Sequence, residues 1–166
     1  MVTLILGKGT NLITLNTGHS GANVLDFPTI LTGNANTAPF TADKITNFLR
    51  DTGAAQGDTI TLGFAAANII TSADANSAGD SLWVVTNGMM AKTGASVLNF
   101  INDVQSITQA GGVAATSGIA GFSDGTNTWI AYNDHANGVA VIELVGIVAA
   151  GIEAGASLTN NYVHIA

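Results

Sequence analysis

The sequence predicts a mainly β domain, and three observations carry that expectation. Short runs of aliphatic residues and threonine recur between glycine turns, a single segment has clear helical periodicity, and Asn, Thr, Ser and Gly stand where charge is scarce. Charged residues make up 9% of the 166 positions against a usual share of about 25%, while 47% are hydrophobic. That balance excludes disorder and fits one domain with a sizeable core.

The elements follow in chain order. Val2 to Leu6 and Leu12 to Leu15 are extended runs, separated by Gly7-Lys8-Gly9 and closed by a turn at Gly18. A nine-residue offset sets Gly9 over Gly18 and Ile13 over Ala22, the rudiment of a repeat. Thr41 to Asp51 reads either as a helical turn or as a strand bent around Asn47. Gln56-Gly57-Asp58 turns into the strand Thr59 to Leu62, a further apolar run covers Phe64 to Ile70, and the aperiodic Thr71 to Asp80 reads as a surface loop.

Beyond residue 80 the pattern changes. Leu82 to Val85 is β-prone and ends at the turn dipeptide Asn87-Gly88. Val97, Leu98, Phe100, Ile101, Val104 and Ile107 recur at three and four, which predicts an amphipathic helix over Ser96 to Ala110, closed by Gly111-Gly112. A Gly- and Ala-rich linker follows. Thr128 to Tyr132 and Val139 to Val145 then form a hairpin around Asn133 to Gly138. Residues 79–85 echo residues 125–131 with one Trp in each, Trp83 and Trp129, as a duplicated strand unit would. The chain is one domain, with a subdivision expected between 1–64 and 65–166.

Eleven acidic residues against four Lys and Arg give a formal charge of −7, which repels nucleic acid and anionic lipid and suits a collector of divalent cations. With no cysteine there is neither a disulfide framework nor a thiolate metal site. Met1 to Leu6 lacks the basic and long apolar regions of a signal peptide, so any export address is expected elsewhere. Val139 to Ile152, interrupted by Glu143, Gly146 and Gly151, falls short of the ~20 residues of a membrane span.

Three segments resemble one family. Leu6-Gly7-Lys8-Gly9-Thr10-Asn11-Leu12-Ile13-Thr14 resembles the repeats-in-toxin (RTX) nonapeptide Gly-Gly-x-Gly-x-Asp-x-aliphatic-x, with Leu6 in place of the first Gly and Asn11 in place of the Asp. Ala42 to Phe48, followed by Gly57 to Leu62, is similar to the strand pair that trails such repeats. Residues 127–134 and 141–147 look like the terminal segment of type I-secreted S-layer and adhesin proteins. The resemblance covers about two thirds of the chain and implies a secreted protein of the bacterial cell surface, a calcium-dependent β-roll and a role in a surface layer or adhesion. Where the family's carboxylate meets calcium, Asn11 and Ser20 offer only neutral oxygens, so the first turns are expected to bind it poorly.

Candidate chemistry is sparse. Gly121-Phe122-Ser123-Asp124-Gly125 matches the Gly-x-Ser-x-Gly elbow, with Asp134 and His164 in hydrolase order, but an elbow needs a helix after the serine and a strand is expected there. A plain turn is the preferred reading, and no enzyme is expected. For calcium, Asp124 and Asp134 flank the hairpin, Asp74 and Asp80 share one loop, and Asp43 and Asp58 fall on the family's strand-and-turn motif. Asp and Asn also favour turns without any ion. His19, His135 and His164 lack metal-ligand spacing. Trp83, Trp129 and Tyr132 are read as core rather than as a sugar-binding face.

The expected fold is thus mainly β: a degenerate β-roll or β-helix-like N-terminal part with a C-terminal strand-helix-hairpin unit, the alternative being an antiparallel β-sandwich with one helix. The expected function is structural, as an S-layer or adhesin region that self-associates or attaches to cell-envelope glycan. The alternative is a calcium-dependent carbohydrate-binding or ice-binding module, with Thr59-Ile60-Thr61 as the one Thr-x-Thr run. Tyr162 to Ala166 is expected to be either an export signal at the natural end of the protein or a final strand.

Overall fold

A computed structural model describes residues 2–6, 10–19, 23–27, 42–52, 57–62, 68–69, 83–110, 118–134, 138–154 and 162–166. The protein is mainly β, and the described residues form two sheets and one helix. In chain order the elements are β1 (Thr3–Ile5), β2 (Leu12–Thr14), β3 (Val24–Phe27), β4 (Asp43–Thr46), β5 (Thr59–Leu62), β6 (Asn68–Ile69), β7 (Val84–Thr86), β8 (Met89–Ala91), α1 (Val97–Ala110), β9 (Gly118–Ser123), β10 (Thr128–Asp134), β11 (Gly138–Val145), β12 (Ile152–Ala154) and β13 (Tyr162–Ile165).

The first five strands alternate between the two sheets. β1, β3 and β5 lie side by side in one, in the order β1-β3-β5-β13-β12; β2 and β4 lie side by side in the other, in the order β2-β4-β11-β10-β9-β8-β7. Every pairing among these five is parallel, with Thr3 opposite Val24, Val24 opposite Thr59 and Leu12 opposite Lys44. The chain therefore coils, laying one strand in each sheet per turn. After β5 the pairing becomes mixed: β9, β10 and β11 form an antiparallel meander, β11 joins β4 in parallel, and β13 joins β5 antiparallel. Both sheets thus run unbroken across the expected boundary at residue 64.

Alternation decides which side chain goes where. Ile13, Ile45, Ile130, Tyr132, Ile142 and Leu144 of the larger sheet meet Leu25, Phe27, Ile60, Val163 and Ile165 of the smaller one in a core between the sheets. Full burial of each such side chain is worth about 1.5–3 kcal/mol. The other face of the larger sheet carries small residues, Ala120 on β9 and Ala131 on β10, which let α1 pack close with Phe100, Ile101 and Val104. The result is three layers, sheet, sheet and helix.

Local chemistry sets the element ends. Ser96 caps α1: its hydroxyl accepts the Asn99 N–H at 3.2 Å, while Asn99 Oδ1 accepts the Ser96 N–H at 3.1 Å, a reciprocal box. Asn87 (φ 48°) and Gly88 (φ 74°) are both left-handed, the two-residue turn that joins β7 to β8. Trp83 meets Phe100 and Phe122 edge-on at 6.3 and 6.0 Å beneath the helix, and its indole N–H is held by Asp103.

One open alternative is settled and one expectation changes on this evidence. The ambiguous Thr41 to Asp51 holds strand β4, bent at Asn47 (φ 61°), rather than a helical turn. Residues 118–123, expected as linker, form β9, an interior strand, because Ile119 serves one core while Ala120 and Phe122 serve the other. The last strand β13 lies inside its sheet between β5 and β12. The loop expected at 71–80 lies outside the described residues. Among the described residues no helix is long and apolar enough to cross a membrane.

Candidate functional site

Four positions in the coils share one local pattern, a polar residue followed two places later by a buried aliphatic: Asn11 and Ile13, Asn23 and Leu25, Asp43 and Ile45, Asp58 and Ile60. Each polar residue stands at the start of its strand. The register stacks Asn23 under Asp58 in one sheet and Asn11 under Asp43 in the other. These partners are 35 and 32 residues apart in sequence.

Three of these side chains accept the main-chain N–H of the register-equivalent residue on the preceding strand of the same sheet. Asn23 Oδ1 accepts from Val2 N at 3.3 Å, Asp58 Oδ1 from Asn23 N at 2.9 Å, and Asp43 Oδ1 from Asn11 N at 2.5 Å. The Asn amides add a second bond, Asn23 Nδ2 to Asp58 and Asn11 Nδ2 to Asp43, both at 3.0 Å. This is a ladder of side chains that satisfies the N–H groups where one coil rests on the next.

Asp58 is the most heavily used rung. It is 0% exposed, and its second oxygen accepts Leu49 N at 2.8 Å and His19 Nε2 at 3.0 Å. Its own N–H donates to Leu49 O at 2.7 Å, which clamps the segment after β4 against the start of β5. Gly57 allows this approach: a Cβ there would sit 2.4 Å from Asp51 N and 2.6 Å from Leu49 O. His19 Nδ1 lies 2.6 Å from the Asn16 carbonyl oxygen. Both ring nitrogens face acceptors, and the doubly protonated ring is the form that satisfies both. The Asn16 carbonyl and then Asp58 raise its pKa above 6.5 against the opposing effect of burial.

Asp43 is 3% exposed, and burial pushes its carboxyl up from the usual range, opposed by the Asn11 amide donors. Asp124 belongs to a different setting, the β9–β10 turn. Its Oδ1 accepts Thr126 N and Asn127 N at 2.8 Å each, and its Oδ2 accepts the Trp129 indole N–H at 3.0 Å. Burial pushes this carboxyl up, but the donors from Asn127, Trp129 and Thr126 outweigh it and hold it below its ordinary value. Asp134 ends β10 opposite Gly138, some six residues beyond Thr128, so about 20 Å of strand separates it from the Asp124 turn. The two do not share a site. Asp74 and Asp80 lie outside the described residues.

Of the six carboxylates expected as calcium ligands, then, the three whose side chains are described accept N–H groups of their own fold. Among the described residues no three or more His, Asp or Glu converge as a metal-binding group. The Gly-x-Ser-x-Gly match is the hairpin turn itself: Ser123 ends β9, its hydroxyl accepts Gly125 N at 3.2 Å, and β10 follows directly. A cleft of about 600 Å³ beside it is lined by Met90, Lys92, Ser96, Phe122, Ser123 and Asp124 among others, and its Ser and Asp side chains are engaged in the helix cap and the turn.

The aromatic residues separate by position. Trp83 and Tyr132 are buried, while Trp129 is half-buried and bonded to Asp124. Thr59 is buried and Thr61 Oγ1 donates to Asp26 at 3.1 Å, so the Thr-x-Thr run is no open ladder. Sequence reasoning missed the pairing of the buried Glu143 with the exposed Lys44 at 2.7 Å, register partners on β11 and β4. Asn127 Nδ2 donates to the same carboxylate at 3.0 Å. It also missed the ladder, whose signal was the recurrence of Asn or Asp two places before an aliphatic. No protein-family model, no curated protein and no solved structure matches the chain.

Proposed function

We propose that this chain is a non-enzymatic structural domain of a secreted bacterial surface-layer or adhesin protein, and that its N-terminal part is a β-roll whose coils are joined by Asn and Asp side chains in place of ions. The ladder is the observation that carries this reading. Calcium requires roughly six to eight oxygens with lone pairs to spare. Here the rung oxygens already receive N–H donors at 2.5 to 3.3 Å, and a cation brought to the same oxygens would meet the positive ends of those dipoles. Side chains committed to the protein's own backbone serve stacking rather than turnover. A surface rich in Asn, Thr, Ser and Gly and poor in charge suits close packing against like surfaces.

The test is thermal unfolding with excess calcium and with chelator. The expected midpoints agree to within about 2 °C, since a ligand that binds only the folded state at a hundred times its Kd adds about 2.7 kcal/mol and would shift the midpoint visibly. A clear rise with calcium, absent with magnesium, would overturn the ion-free stack. Light scattering on the same samples reads assembly: particles that grow with protein concentration support the structural role, and a monomer at every concentration refutes it.

A further inference from the structure

Glu143 alternates along β11 with the core residues Ile142 and Leu144, so its carboxylate faces away from the core between the sheets, yet it is buried. A buried carboxylate needs partners, and Glu143 has one at each oxygen. Its Oε1 accepts the Asn127 side-chain amide at 3.0 Å. Its Oε2 lies 2.7 Å from Lys44 Nζ and accepts from no other group among the described residues. The Asn127 amide is held at its other end as well, where Oδ1 accepts the Gly146 N–H at 2.9 Å, and only this orientation of the amide satisfies both neighbours. Lys44 and Glu143 are register partners on β4 and β11, and Asn127 immediately precedes β10. Three neighbouring strands thus deliver an amine and an amide to the two oxygens of one carboxylate.

We propose that this is a self-modification site, at which Lys44 Nζ and Asn127 Cγ join in an intramolecular isopeptide bond with loss of ammonia. The nucleophile is the lysine amine, which must lose a proton before it attacks, and Glu143 Oε2 is a base within reach of it. The electrophile is a side-chain amide whose carbonyl oxygen meets the Gly146 N–H, where negative charge develops on attack. The leaving group is Nδ2, which departs only when protonated, and Glu143 Oε1 is already bonded to it. The steps balance without a cofactor. Glu143 takes a proton from the Lys44 ammonium, the Nζ–Cγ bond forms, and the Cγ–Nδ2 bond breaks as Glu143 returns that proton to Nδ2. Ammonia leaves with the second Nζ proton as an ammonium ion, and Glu143 is again a carboxylate. The half-exposed Lys44 side chain opens the site to solvent, which gives the ion its way out. A simple ion pair accounts for Lys44 and Glu143 alone; the amide on the second oxygen, polarised at its carbonyl, is what an ion pair does not require. The bond is made once, without turnover, and ties β4 to the start of β10 across β11. It does not rest on the ladder or on the structural reading above.

Intact-mass spectrometry of the whole chain, folded and then denatured, tests this. The expected mass lies about 17 Da, one ammonia, below that of the sequence. Trypsin locates the bond. Lys8, Lys44, Arg50 and Lys92 are the basic residues of the chain, and an acylated lysine is not cleaved, so residues 9–50 are expected to stay joined to residues 93–166 in denaturant. With no cysteine in the chain, no disulfide can hold those two peptides together. Lys44→Arg keeps a positive charge beside Glu143, and Glu143→Gln keeps the shape and removes the base; both are expected to show their full sequence masses and separate peptides. A folded wild type at its full sequence mass overturns the proposal, whether or not either variant folds. A loss of about 17 Da confined to one peptide overturns it too, because an asparagine that closes on its own backbone loses the same ammonia. Peptides that remain joined in Glu143→Gln remove Glu143 from the reaction and overturn it as written.

Discussion

Replacing Asp58 by Ala removes the acceptor for four donors at once: the partly exposed ring of His19 and three amide donors, the N–H of Asn23, the N–H of Leu49 and the side-chain amide of Asn23. The site is fully buried, so water does not take its place. A buried donor left unpaired costs about 1–3 kcal/mol. Three of them, partly relieved by local rearrangement, imply a loss of about 4 kcal/mol, a large part of the ~5–15 kcal/mol that holds a domain together. For a chain of this size that is a fall of about 10 °C in melting midpoint. Asp58→Asn separates acceptor from charge. It keeps one oxygen for Asn23 but turns an NH₂ toward Leu49 N and His19 Nε2, donor against donor, and is expected to lose about 2 kcal/mol. Urea unfolding followed by tryptophan fluorescence gives both values. A loss below about 1 kcal/mol for Asp58→Ala would show that the ladder does not hold the coils together.

Three further outcomes follow from the same geometry. Asp43→Asn keeps the oxygen that Asn11 uses and removes a charge whose burial the fold disfavours, so its stability at pH 7 is expected within about 1 kcal/mol of wild type; a loss as large as that of Asp58→Asn in the same unfolding assay would contradict this. The His19 pKa is raised in the folded protein, so its contribution is fully present below about pH 6.5 and is lost as pH rises through the raised value. The stability gap between wild type and His19→Gln should therefore be widest near pH 5.5 and narrow toward pH 9, and a gap that widens instead refutes the imidazolium. Gly57→Ala places a Cβ against backbone atoms of Leu49, Arg50 and Asp51 that cannot rotate away, at an expected cost of about 3 kcal/mol. A melting midpoint equal to that of wild type would mean that the segment shifts freely.

Much of the mainly β architecture was legible because it rests on local signals. The helix was visible from its apolar spacing and the β7–β8 turn from Asn87-Gly88, while the β10–β11 hairpin followed from two β-prone runs flanking polar turn residues. Strand β9 was not, since Gly118, Ala120 and Gly121 have poor strand propensity and are strand residues only because β8, β10 and the helix press close on them. The alternation of strands between the sheets was not legible as a repeat: the nine-residue offset set Ile13 over Ala22, whereas the equivalent position on β3 is Leu25, and neighbours within a sheet are 21, 32 and 35 residues apart, too irregular for a repeat to show.

The residues of the candidate site were legible but their hydrogen bonds to the main chain were not, and the reason is physical. Asp43 and Asp58 stood out because a carboxylate at the start of a strand, beside a turn, is where an oxygen-seeking cation would be held. A carboxylate is equally the best acceptor for a main-chain N–H, and only the register between coils shows which of the two partners arrives. In Asp58 the register delivers Asn23 N, Asn23 Nδ2, Leu49 N and an imidazolium to one side chain. Asn23 then does the same for Val2 with a neutral amide oxygen, at a longer 3.3 Å. The gradation from Asn to Asp along the stack follows the number of donors to be satisfied: one N–H takes an amide, and four donors, one of them cationic, take a charge. The place of an Asn in such a ladder is accounted for by the single N–H that it accepts.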